Sequence, residues 1–95
     1  SEVAYNLLTA DTRGSIEFVL MEIPPQTFTA DKEHTHTGEE TSYVEYGDVD
    51  IWLNGEKFRL HAGDAIRIPA GTHHRWFNPG DEMVRVIFAV TPPSF

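Results

Sequence analysis

The sequence predicts an all-β domain, a sandwich or a barrel, and three observations carry that expectation. Short runs of strand-forming residues alternate with turn residues along the chain. No segment repeats its apolar residues at the 3.6-residue period of an amphipathic helix. Asn54-Gly55 stands between two alternating segments, the strongest short signal for a hairpin.

Each element can be read in order. Val3 to Leu8 is a candidate edge-pairing or exchanged strand. Ser15 to Ile23 is rich in Ile, Phe, Val and Leu, and Pro24-Pro25 stops it, because proline lacks the N–H a sheet ladder needs. Thr41 to Leu53 carries Tyr43, Val44, Tyr46, Val49, Ile51 and Leu53, with an interruption at Gly47-Asp48. Beyond Asn54-Gly55, Phe58 and Leu60 alternate with Lys57 and Arg59, the pattern of a strand with one face to solvent. Ala62-Gly63-Asp64 is a turn, and Ile66 and Ile68 lead into Pro69-Ala70-Gly71. Asn78-Pro79-Gly80-Asp81 is a further turn, and Met83 to Val90 forms the last strand. Gly38, Gly47, Gly63 and Gly71 read as corners or points of close backbone approach. No repeat, low-complexity tract or linker divides the chain, so residues 1–95 read as one domain.

Composition narrows the function classes. The chain has no Cys, so no disulfide supplements the core of a 95-residue domain, and a thiolate zinc site is excluded. Net charge is −8, from 7 basic and 15 acidic residues, and the basic ones are scattered. Without a positive footprint, direct nucleic-acid binding is not expected. No signal peptide, membrane-spanning apolar run or lipidation motif appears, so a cytoplasmic protein without a membrane partner is the expectation. The chain opens on Ser1 rather than Met, which leaves room for it to be a piece of a longer protein.

Two histidine-bearing segments about forty residues apart carry the chemistry. On a strand, His34 and His36 would project from one face, and Glu40 lies a further even step along. His74 arrives from a distant segment. Three imidazoles and one carboxylate suit a divalent transition metal (Fe, Mn, Ni, Co or Zn). The bland alternative is that His34 and His36 are solvated residues of a polar loop. Glu39 could replace Glu40 by a one-residue shift, but the even step from His36 favours Glu40. His61 shares an outward face with Lys57 and Arg59 and reads as solvated. Arg67 is either an exposed charge or an anion anchor.

The same segments resemble the two motifs of the cupin superfamily. His34, His36, Glu40 and Gly47 fall in register with the first, although Phe28 stands where its leading Gly belongs. Gly63, Pro69, Gly71, His74 and Asn78 match the second throughout. The resemblance implies a small double-stranded β-helix, a jelly-roll barrel, with one metal held by His34, His36, Glu40 and His74. It selects His74 over His73, a rim residue on this reading, while Asn78 reads as a turn former. Alternation then directs Ser42, Val44 and Trp76 toward the same interior, and these are the expected lining of a small-molecule pocket. Ser42 would leave room and Trp76 would supply a flat apolar wall.

The stretches Glu17 to Pro25, Gly38 to Glu40, His74 to Glu82 and Val90 to Phe95 look like the C-terminal cupin half of helix-turn-helix regulators of the xenobiotic-response-element type. That resemblance implies a ligand-sensing domain whose DNA-binding partner domain is absent from this chain. The competing expectation is a small metal-dependent cupin enzyme of dioxygenase or isomerase type. A homodimer is expected, since a small barrel gains by burying a further apolar face.

Overall fold

The computed structural model describes residues 2–35 and 37–94, so what was expected of His36 and Phe95 lies outside the described residues. Among the described residues eight strands follow one another: β1 Ala4–Leu7, β2 Glu17–Ile23, β3 Glu39–Tyr46, β4 Val49–Leu53, β5 Glu56–Leu60, β6 Ala65–Ile68, β7 His74–Phe77 and β8 Val84–Thr91. They form a five-stranded sheet in the order β1-β2-β8-β3-β6 and a three-stranded sheet in the order β5-β4-β7. Neighbouring strands pair antiparallel throughout. Among the described residues the ladders do not close into one continuous sheet; the two sheets share one core, as in a jelly roll.

Local sequence explains these elements. Asn54 and Gly55 take φ of 50° and 83°, the pair of left-handed residues a type I′ hairpin requires, and β4 pairs with β5 around them. Along β8, Val84, Val86, Phe88 and Val90 are buried while Arg85, Ile87 and Ala89 face outward. Val19, Met21 and Ile23 from β2 and Val49 and Ile51 from β4 meet them in the core. Each fully buried Val or Ile is worth about 1.5–3 kcal/mol over its exposed state, the main cohesion of a domain without disulfides. β1 lies at a sheet edge with all four residues exposed, as an edge-pairing strand should.

Two buried polar side chains, Asp50 and Asn78, are matched by polar partners. Asp50 is buried on the outward side of β4, where Arg59 forms an ion pair with it and Lys57 Nζ approaches to 3.7 Å. A buried carboxylate without such partners would be costly. Asn78 is fully buried and ties the last turn together: its side-chain amide donates to the Ile23 and Glu82 carbonyls at 2.8 and 2.7 Å and its oxygen accepts from Gly80 N–H at 2.9 Å. It is a turn former, as its place before Pro79 suggested.

Candidate functional site

Strand alternation sorts the residues of β3. Glu40, Ser42 and Val44 face the interior at 3%, 2% and 0% exposure. Glu39 is exposed and pairs with Arg67 across the sheet at 3.1 Å, which makes Arg67 a surface charge. Of the two neighbouring glutamates, Glu40 is therefore the inward one. On β7 the buried residues are His74 and Trp76, and Arg75 and Phe77 look outward. His73 is exposed, and so is His61, 3.7 Å from Asp64.

His34 reaches the same region by a route that strand spacing does not describe. It lies in no named strand, and β3 begins only at Glu39. Instead, His34 and His74 exchange backbone hydrogen bonds: His34 N–H donates to the His74 carbonyl at 3.1 Å and His74 N–H donates back at 2.9 Å. Their ring centroids stand 5.1 Å apart. The expected even step along one strand is broken near Gly38, where the chain passes beneath the C-terminal segment. A Cβ on Gly38 would sit 2.5 Å from both the Pro92 carbonyl oxygen and Ser94 Oγ, and Gly38 N–H donates to that hydroxyl at 2.8 Å. No side chain fits there.

His34, Glu40, His74 and Trp76 line one cavity of about 100 Å³. Met21 and Phe88 add apolar wall, and Tyr5, Thr29, Thr35 and Ser94 add hydroxyls. Of the expected pocket lining, Trp76 borders this cavity. Ser42 and Val44 face the interior but do not border this cavity. Ser42 contributes a hydrogen bond rather than open volume: its hydroxyl donates to Glu40 Oε2 at 3.0 Å. His74 Nδ1 lies 3.1 Å from the Thr72 carbonyl. A carbonyl only accepts, so in this contact Nδ1 is the donor and Nε2 is the ring nitrogen left to other partners. Burial, then the negative charge of Glu40, push the Tyr5 phenol above its ordinary range, although 42% of the residue remains open to solvent. Among the described residues, no group of three or more His, Asp or Glu is close enough to hold a metal ion; His36 is not among them.

Several of these cavity residues carry no pattern in the sequence. Tyr5 enters because β1 pairs it with Met21, whose side chain is in the core. Ser94 enters from beyond the last strand, where no periodicity applies.

The fold and this cavity define a class. The Cupin domain family model matches residues 19–90, and the chain belongs to that family. A cupin 2 conserved barrel domain protein from Salinispora arenicola superposes with a TM-score of 0.83, covering 96% of this chain and 76% of that one at 22% identity. The HTH-type transcriptional regulator PuuR of Escherichia coli is 35% identical over 60 residues, 63% of this chain and 32% of that protein. The acireductone dioxygenase of Aquifex aeolicus is 44% identical over 54 residues, 53% of this chain and 29% of that protein. The chain spans between 29% and 58% of the length of the curated relatives it matches. No helix is long and apolar enough to cross a membrane among the described residues.

Proposed function

We propose that this chain is a cupin domain that binds one divalent transition metal and a small molecule, and that it serves a transcriptional regulator as its sensing module. The observation that carries the reading is the convergence of His34, Glu40 and His74 on one small cavity beside Trp76. The donor chemistry fits a metal such as Fe, Mn, Ni, Co or Zn: imidazole nitrogens and a carboxylate, with His36 as the fourth ligand. Two of these donors are steadied from behind, Glu40 by the Ser42 hydroxyl and His74 by the Thr72 carbonyl, as metal ligands commonly are. The metal would supply Lewis acidity and open positions for a ligand oxygen. The chain's own part is to orient that ligand, with the indole of Trp76 as a flat wall and the hydroxyls of Tyr5, Thr29 and Ser94 as polar contacts.

Similarity to PuuR supports the regulator assignment. DNA contact would belong to another domain, because a net charge of −8 opposes phosphate binding by this one. The domain would act in the cytoplasm as a homodimer, with the exposed edge of β1 available to pair; sedimentation giving twice the 10.7 kDa of one chain tests the dimer.

A second reading, a small metal-dependent cupin enzyme, is favoured by the 44% identity to the acireductone dioxygenase. Metal-loaded protein screened against small carboxylates and hydroxy compounds separates the two. The sensing reading expects thermal stabilisation by a bound compound without its consumption. Uptake of dioxygen or conversion of the compound would overturn it in favour of the enzyme.

A further inference from the structure

We infer that Arg75 is the positioning residue that clamps the His34-bearing loop onto β7 and thereby sets the metal affinity of the site; the inference rests on the metal reading above. The loop 28–34 is fastened to β7 at both ends. Phe28 bridges Phe77, Thr29 N–H donates to the Trp76 carbonyl at 2.9 Å, and His34 and His74 exchange their two bonds. Between Thr29 and His34 the loop makes no ladder contact with β7 among the described residues. Arg75 grips that arch: its Nη1 donates to the Asp31 carbonyl at 2.7 Å.

The guanidinium is committed to this place. No carboxylate lies within ion-pair distance of it among the described residues, and its buried Nε makes no hydrogen bond. Its carbon instead stands 4.1 Å from the Phe28 ring centroid and 5.2 Å from that of Trp52. Those rings are themselves packed, Phe28 lying 5.5 Å from Trp52 and 4.3 Å from Phe77. An outward arginine on a sheet would ordinarily extend into water and pair with a carboxylate. Here the aromatic faces attract the cation and fix the plane from which it reaches the loop. Phe28 supplies the nearer face, at the position where the first cupin motif begins with Gly. Arg75 therefore holds the loop from outside while its neighbours His74 and Trp76 face the cavity from inside.

The full chain tests this, with Zn²⁺ alone as the probe. Affinity is read by competition with a chromophoric chelator, and loop order by amide hydrogen exchange of the metal-free protein. Arg75→Met keeps the aliphatic stem and removes the charge and donors. It should weaken Zn²⁺ binding about 10–100-fold, the usual cost of losing an outer support of a metal site, and speed exchange at the His34 amide. Arg75→Lys should recover part of both. Lys57→Met, which removes a cation 5.9 Å from the Trp52 ring that does not touch the loop, should change neither. Wild-type affinity and exchange in Arg75→Met would overturn the inference. If that variant does not fold, Arg75→Lys decides, and unchanged affinity there overturns it. Wild-type protein that takes up no Zn²⁺ overturns the metal reading and this inference with it. Wild-type uptake with unaltered Arg75→Met affinity overturns this inference alone.

Discussion

Replacing Asn78 by Ala should cost far more stability than a loop substitution. The side chain is fully buried and makes three hydrogen bonds, to Ile23, Glu82 and Gly80. Truncation leaves the buried Ile23 carbonyl and the partly buried Glu82 carbonyl and Gly80 amide without these bonds. At about 1 kcal/mol for each lost bond, the loss is about 3 kcal/mol, and more if water cannot reach the stranded groups. A domain of this length has about 5–15 kcal/mol in all, so the change consumes a large share of it. At about 4–8 °C per kcal/mol, the midpoint should fall by about 12–24 °C. Urea and thermal unfolding measure this directly. Asn78→Asp keeps the acceptor for Gly80 but turns a negative oxygen toward the Ile23 and Glu82 carbonyls, so it should destabilise at least as much. An Asn78→Ala loss under about 0.5 kcal/mol, within the range of ordinary surface changes, would refute the assignment of Asn78 as the tie between β2 and the last turn.

Ser42→Ala removes the hydroxyl that holds Glu40, so metal affinity should drop about tenfold while stability falls by only about 1 kcal/mol, as chelator competition and a thermal melt would show. The Tyr46 phenol, which donates to Glu82 at 2.6 Å, is held above its ordinary value of 10.0 by that bond and the carboxylate charge. The neutral phenol is thus favoured by the fold: its stabilisation is present below pH 10 and is lost as the pH rises through the higher folded value. In Glu82→Gln, absorbance titration of the phenols should show Tyr46 ionising at lower pH than in the parent.

Much of the fold was legible because it follows from local rules. The Asn54-Gly55 hairpin, the stop at Pro24-Pro25 and the last strand over Met83 to Val90 depend only on residues adjacent in sequence. The choice of Glu40 over Glu39 was also legible, since an even step on a strand fixes which face a side chain takes. Strand spacing does not describe how His34 comes to border the cavity. His34 reaches it through the bridge to His74, and the close approach of Gly38 to Pro92 and Ser94 that breaks the strand is a contact between distant segments. The same limit explains Ser42 and Val44. Alternation says that they face inward, but depth relative to a cavity depends on how two sheets meet. Tyr5 and Ser94 were hidden because a chain terminus carries no periodic signal for the wall it completes.

Metal titration of the chelator-treated full chain, with elemental analysis of the product, tests the central claim most directly. The account predicts one divalent metal per chain, held through His34, His36, Glu40 and His74, with uptake abolished in His74→Ala and weakening in acid, where protons compete with the metal for its ligands. No uptake by the parent chain at neutral pH, or full uptake by His74→Ala, would contradict it.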